Sequence, residues 1–465
     1  MFQPKTYIER RKVLKEKMGS GLILFFGNDE SPMNYTDNTY HFRQNSTFLY
    51  FFGISHPGLA AVIDIDNDRE IIFGNDFTID DIVWMGPQPT IAERAESCGI
   101  TLTQSWNKLA ITLDLAKQMG QKIHFLPLYR PGNKIKLMEL TGIQPAEVAN
   151  FFSVELVKAV ISQREIKTQE ELIEIEEAVN VSVDMHISAI KMVQPGMTEA
   201  AVTAEIHKVA LAAGGNISFP IIATVNGQTL HNHYHGNIIH EGDLFLVDAG
   251  YETPSGYAGD LSSTFPVSKT FTSEQKEIYQ ITLAAHQAAI DALEFQQPFR
   301  NAHLAASKAI FEGLKGMGFT KGNTNDAVEA GAHALFFPCG TGHMMGLDVH
   351  DMEDLGEMWV GYEGQPKSTQ FGLKSLRLAK LLQEGHVFTV EPGIYFIPEL
   401  IDHWHSQNKF NDFINWEKVN SYRYFGGIRN EEDFVMTKNG AHLLGKSKPK
   451  TIEEVEAIRT GRYKG

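Results

Sequence analysis

Cysteine is scarce in this chain: Cys98 and Cys339 are the only two among 465 residues. Two distant cysteines cannot build a disulfide framework, and they fit a reducing compartment. Long apolar runs are missing as well. The first, Leu22-Ile23-Leu24-Phe25-Phe26, is too short for a secretion signal or a membrane span, and the segment ahead of it, MFQPKTYIERRKVLKEK, is charged. A soluble, cytoplasmic protein is therefore expected, with no membrane partner. An excess of basic residues is also absent. The net charge of -16 argues against nucleic acid as a partner, since binding it needs a basic face, although a local basic patch stays open. No low-complexity or heptad segment stands out. What is present, 43% hydrophobic and 21% charged residues, is the composition of a globular protein, and 465 residues exceed one ordinary core and predict two or three domains.

Residues 1–155 read as an α/β domain. IERRKVLKEKM has helical spacing, and GLILFFG, STFLYFFGI, AAVIDID and EIIFGN read as strands between turn residues. No catalytic constellation lies within it. A second domain, 156–465, follows. The stretch from Ser153 begins strand-like and becomes a long amphipathic helix, with Leu172, Ile175, Val179 and Val183 at helical intervals. Thr198 is a plausible N-cap of the next helix. Strand-like runs come next at SFPIIATV, DLFLVDAG and DLSSTFPV. The order then repeats: two helical stretches, SEQKEIYQITLAAHQAAIDAL and NAHLAASKAIFEGLKGMG, then strand-like runs around GHMMGLDV, HVFTVEPGIYF and GIRNEEDFVMT. Two such halves suggest a duplicated α+β unit. Near the end, Thr451 and Glu454 form a capping-box pattern ahead of a short helix.

Four acids stand in or beside the apolar runs of this second domain. Asp248 ends LFLVDAG and Asp260 opens DLSSTF, a spacing of 12 that suits a hairpin bringing both carboxylates to one side. Glu391 lies inside FTVEPGIYF, and Glu431 lies in GGIRNEEDF. Any one of them alone reads as an ordinary strand-end residue facing water. Jointly that reading is strained, because a carboxylate is expensive to bury without a partner. Four converging acids would repel and stay partly protonated unless cations joined them. Two divalent ions would balance four carboxylates, with His343 of CGTGHMMGLDVHD as the one nitrogen ligand. The alternative of a nucleotide loop at GTGHMMG lacks the third glycine at the right step.

These motifs, LFLVDAG, GDLSSTF, GHMMGLDVHD, TVEPGIYF and GGIRNEED, resemble in order those of the prolidase and aminopeptidase P family. The likeness covers essentially the whole chain, with HFRQNSTFLYFFGI as the best match in the first domain. The resemblance implies an α+β fold: a C-terminal pita-bread catalytic domain and an N-terminal creatinase-type α/β domain that serves oligomerisation and covers a neighbouring active site. It implies a homodimer or tetramer. It further implies that Asp248, Asp260, His343, Glu391 and Glu431 hold two divalent metal ions, with Asp260 and Glu431 bridging. Manganese suits the oxygen-rich donor set; cobalt, iron or zinc could also load.

Other roles follow from the same resemblance. His350 falls on a histidine that stabilises the tetrahedral intermediate, Arg429 on an arginine beside the metal carboxylates, and Arg377 of GLKSLRLAK on the arginine that binds a substrate's terminal carboxylate. His231 falls on a proton-shuttling histidine, with His233 as the alternative. Glu391 would also move a proton between the nucleophile and the leaving amine. His231, His233 and His235 alternate and would share one face of a strand. His403 and His405 read as loop surface, and Met344 and Met345 as core or pocket lining. Cys339 is a departure, since the family has a histidine there, lining the substrate pocket. It reads as a tolerated change or as one that alters substrate preference, pH dependence or sensitivity to oxidation.

The expected activity is cleavage of small peptides with proline in the second position, as a Xaa-Pro dipeptidase (prolidase). The stretch from Glu391 to Asp433 and GLKSLRLAK tilt the reading that way. Aminopeptidase P, acting on longer peptides, is the nearest alternative. A metal-free creatinase-like hydrolase and a non-catalytic binding module of the same fold are further ones, and the intact ligand set weighs against both.

Overall fold

The computed structural model describes residues 2–463. Two compact units emerge. One runs to Arg164 and takes in Met352–Trp359; the other comprises Glu165–Asp351 and the chain from Val360 onward. The expected division after residue 155 falls inside a helix, Val154–Arg164, that packs on the first helix, Pro4–Met18.

The first unit is built on a five-stranded sheet of β1 (Leu22–Phe26), β2 (Ala60–Asp64), β3 (Arg69–Phe73), β4 (Leu102–Gln104) and β5 (Ile123–His124), in the order β4-β3-β2-β1-β5. The β1–β2 and β2–β3 pairs are antiparallel, whereas β5 and β4 join in parallel. Arg11 is fully buried beside this sheet and is satisfied by the carbonyls of Phe51 and Cys98 and by Glu70.

One expected strand is a helix. STFLYFF forms Ser46–Phe52, every residue of it buried. A continuous apolar run cannot be told from a buried strand by period alone. Here its ends decide: Asn45 accepts from the Phe48 N–H as N-cap, and Gly53 closes the helix at φ 62°. A Cβ at Gly53 would lie 2.2 Å from the Tyr7 ring, so packing also requires glycine. The strand-like reading from Ser153 fails in the same way. Val154–Arg164 is helical, and a capping box of Thr168 and Glu171 then starts a second helix, Gln169–Met192.

The second unit shows the expected doubling. Its first half pairs the helices Gln169–Met192 and Glu199–Ala212 with β6 (Asn216–Ile217), β7 (Ile222–Thr224), β8 (Leu244–Ala249), β9 (Tyr251–Glu252) and β10 (Leu261–Pro266). The N-cap at Thr198 is formed. Its second half pairs Ser273–Asp291 and Arg300–Gly316 with β11 (Val387–Val390), β12 (Gly393–Tyr395), β13 (Gly427–Arg429), β14 (Glu432–Thr437) and β15 (Gly440–Leu443). Each half centres on a three-stranded antiparallel sheet, β10-β8-β7 and β11-β14-β15. The tail capping box at Thr451 and Glu454 starts the helix Ile452–Arg459.

GHMMGLDV is no strand. It touches the sheet through a single bridge, Met344 to Phe388, with Met344 and Met345 buried. The segment still tracks β11: Glu391 N–H bonds the Thr341 carbonyl at 2.7 Å, and Thr389 N–H bonds the His343 carbonyl at 3.0 Å. A Cβ at Gly342 would sit 2.1 Å from the Thr389 carbonyl, so only glycine permits this approach. No helix among the described residues is long and apolar enough to cross a membrane.

Candidate active site and metal centre

The two halves meet at their acids. β8 and β10 pair so that Asp248 lies opposite Ser262, and Asp260 stands just ahead of β10. Glu391 follows β11, and Glu431 precedes β14, with its N–H on the Ser262 carbonyl at 3.2 Å. All four acids line one cavity of ≈ 530 Å³ together with His343. Its wall also holds His231, His233, Cys339, His350, Arg377 and Arg429.

The geometry is tight. His343 Nε2 is 3.3 Å from Asp260 Oδ2 and 3.7 Å from Glu391 Oε1. Donor atoms of Asp260, His343 and Glu431 all lie within 4.8 Å of one another. Arg429 is buried and fully engaged: Nη2 donates to Asp248 Oδ2 at 2.5 Å, Nε to the Ser262 hydroxyl at 2.8 Å, and Nη1 to the Tyr395 hydroxyl at 3.0 Å. The rings of His343 and His350 meet edge to face, 4.3 Å between centroids.

Burial and mutual repulsion dominate the electrostatics. Desolvation first, then Asp248, Asp433 and Glu391, hold the Asp260 carboxyl well above the usual range. Glu431 is pushed up by burial and then by Asp260 and Glu391. Burial also raises Glu391, against the opposing pull of His343 and Arg429. Arg429, among these acids, is held in its charged form.

Such a cluster fits divalent cations. Asp260 Oδ1 is buried and has no hydrogen-bond partner among the described residues. His343 Nδ1 lies 3.0 Å from the Met344 carbonyl, which fixes the proton on Nδ1 and turns the Nε2 lone pair toward the carboxylates. A lone pair facing carboxylate oxygens is repulsive unless a cation lies between them, and imidazole ligands are commonly oriented by such a bond from the other nitrogen.

The three alternating histidines do not act as a strand face. Their segment has no strand; His231 and His233 line the cavity mouth, while His235 Nε2 is tied to the Ile221 carbonyl at 3.0 Å. Partial desolvation, then Arg429, lowers the His231 pKa and keeps its ring neutral near pH 7. The HWHSQN stretch, expected as a loop, is mostly helix (Pro398–Ser406), with His403 and His405 exposed. Cys339 is half-buried, its Sγ 4.0 Å from the Tyr395 hydroxyl, and enclosure pushes its thiol up to about 12. That favours the inert thiol and weakens the oxidation reading for the metal-free protein.

Sequence reasoning passed over Ser262, Tyr395 and Asp433. The first two stand inside quoted motifs and bind Arg429 directly. Asp433 is two residues beyond Glu431 and accepts the Asp260 N–H at 3.1 Å. The alternation of a strand, which returns every second side chain to one face, was the available signal.

A cavity walled by four carboxylates, four imidazoles and two arginines, at the junction of a doubled α+β unit, is a candidate metal site of the kind hydrolases use. The chain belongs to metallopeptidase family M24, which matches residues 174–438, and residues 7–124 match the aminopeptidase P N-terminal domain. It is 31% identical to the human Xaa-Pro dipeptidase over 467 residues, spanning 97% of this chain and 91% of that one. It is 28% identical to the Escherichia coli Xaa-Pro aminopeptidase, spanning 99% and 98%. The zinc-substituted E. coli aminopeptidase P solved with product superposes with a TM-score of 0.82 at 26% identity, covering 100% of both chains. The fold is accordingly that of aminopeptidase P, an N-terminal α/β domain and a pita-bread catalytic domain.

Proposed function

We propose that the chain is a Xaa-Pro dipeptidase with two divalent metal ions, most simply manganese, held by Asp248, Asp260, His343, Glu391 and Glu431. The observation that carries this reading is Arg377: it lines the same cavity as the ligand cluster and offers a guanidinium that can pair with the free carboxylate a dipeptide presents. The higher identity to the human dipeptidase supports it.

When bound, a pair of such ions polarises a substrate carbonyl and makes a hydroxide nucleophile available near neutral pH. This chain's residues supply the remainder. Glu391, on the cavity wall, takes up a proton at its carboxylate and delivers it to the leaving amine. His350, beside His343 on the cavity wall, donates a hydrogen bond to the oxyanion. Neutral His231 at the mouth carries protons between the cavity and water, with His233 next to it. Arg429 fixes Asp248 and neutralises excess charge. Arg377 sets the length of peptide accepted. The same reading takes the protein as cytoplasmic and as a homodimer or tetramer, which light scattering tests.

The second reading, an aminopeptidase P acting on longer peptides, is favoured by the full-length superposition on the E. coli enzyme. Hydrolysis of Ala-Pro against Ala-Pro-Ala after manganese loading separates the two. Cleavage of the dipeptide alone supports the first. Preference for the tripeptide overturns it.

A further inference from the structure

Ser262 is fully buried beside the candidate ligand cluster, opposite Asp248 in the β8–β10 pair. Four hydrogen bonds converge on its two oxygens. The hydroxyl accepts from Arg429 Nε at 2.8 Å and donates to Glu431 Oε2 at 2.8 Å. The carbonyl accepts from the Glu431 N–H at 3.2 Å and from Lys448 Nζ at 2.6 Å. One serine therefore ties the backbone and side chain of Glu431, the guanidinium that holds Asp248, and a buried lysine from beyond β15.

We propose that Ser262 is a positioning residue for the metal centre, setting the rotamer of Glu431 and keeping Arg429 off it. Because Arg429 Nε–H already occupies the hydroxyl as donor, the serine's own proton has one direction left, toward Glu431. The hydroxyl thus stands between a guanidinium and a carboxylate that would otherwise pair directly. A direct Arg429–Glu431 pair would compete with a cation for that carboxylate. Hydrogen bonds to ligating carboxylates commonly carry a 10- to 100-fold share of metal affinity. Lys448 adds rigidity by pinning the carbonyl from the opposite side of the strand.

The neighbouring serine supplies the contrast. Ser263 points to the other face, where its hydroxyl meets His186 Nδ1 at 2.9 Å and Lys448 Nζ at 3.0 Å. No hydrogen bond joins its side chain to Glu431 or Arg429 among the described residues. Its loss should loosen the fold without disturbing the ligands.

The inference rests on the reading that this cluster binds divalent ions, and calorimetric titration of Mn2+ into chelator-stripped protein tests the two separately. Ser262→Ala is expected to weaken manganese binding roughly 10-fold or more, and Ser262→Thr, which keeps the hydroxyl, to restore most of it. Ser263→Ala should lower the melting temperature and leave manganese affinity near that of the unaltered protein. Unchanged affinity in Ser262→Ala, or an equal loss in Ser263→Ala, overturns the inference. Failure of the unaltered protein to bind manganese overturns the metal reading itself. If Ser262→Ala does not fold, Ser262→Val compared with Ser262→Thr asks the same question at equal shape: Val must bind roughly 10-fold more weakly, and equality refutes the role.

Discussion

Lys167 Nζ donates to Asp351 Oδ2 at 2.7 Å, and both side chains are 1% exposed. Asp351 directly follows His350, and its N–H bonds the Met344 carbonyl at 2.9 Å. The turn that bears His343 and His350 is thus closed over a buried ion pair. A Cβ at Gly346 would come within 2.8 Å of both partners, so the turn is packed to its limit. Removing one member of a buried pair costs about 3–5 kcal/mol, because it strands the other charge. Lys167→Met should lower unfolding free energy by about that much in urea titrations. Lys167→Met with Asp351→Leu should recover a large part of it, and no recovery would show that the pair acts through something other than charge.

Arg377 should separate substrate binding from chemistry. A charged hydrogen-bonded pair contributes about 1.5–3 kcal/mol, or roughly a 10- to 100-fold change in binding. Arg377→Met is expected to raise KM for Ala-Pro by about that factor, leave manganese content unchanged, and alter cleavage of Ala-Pro-amide little. Equal losses on the acid and the amide would return Arg377 to a structural part.

Both cysteines should be unreactive in the folded, metal-stripped protein. Burial raises the Cys98 thiol, and enclosure with Glu391 nearby pushes Cys339 up to about 12. At pH 8 a disulfide reagent should label neither at an appreciable rate, then both once the chain is unfolded. Rapid labelling of Cys339 would revive its oxidation sensitivity. Cys339→His should change the kinetic constants on Xaa-Pro substrates and leave metal content alone; unchanged constants would mark the residue as a tolerated substitution.

Buried histidines should withdraw their share of stability as pH falls below about 6.5. Burial holds His186 and His303 near 3, His386 near 3 and His333 near 4, each lowered from 6.5. His286 is lowered well below its ordinary value, again by burial first. A histidine with a depressed folded pKa stays neutral in the native state while its unfolded form takes a proton. Its contribution is whole above about 6.5 and is lost as pH falls toward the folded value. Unfolding near pH 5 should take up about four or five protons from these groups. Titration of these rings near 6.5 in the folded protein, followed by NMR, would contradict their buried, neutral state.

Much of the candidate site was legible because acids and histidines beside apolar runs recur in order along the chain. Asp248 and Asp260 at hairpin spacing, then His343, Glu391 and Glu431 beside apolar runs, identify residues that fold into one cavity. The helix at Ser46–Phe52 was not legible by period, since all its residues are buried. Its caps, Asn45 and Gly53, were the better guide. The single bridge at Met344 was hidden for another reason: the segment follows β11 through hydrogen bonds that strand-like sequence does not require. Ser262 escaped notice because strand alternation marks a face and not a role; only the partners around it reveal what it holds.

The doubling of the second unit places the cavity's acids at opposite ends of a long stretch, from Asp248 to Glu431, with Lys448 behind them near the close of the chain. On the ribosome, the first hairpin therefore emerges with two carboxylates and no counterpart. The set is completed only once the strands around Glu431 have been made, some 180 residues after Asp248. A nascent chain stalled before Glu431 could fold its early helices yet hold no complete centre. A chain broken off before Glu431 would thereby lack one carboxylate of the candidate cluster and should bind divalent ions more weakly than the whole second unit.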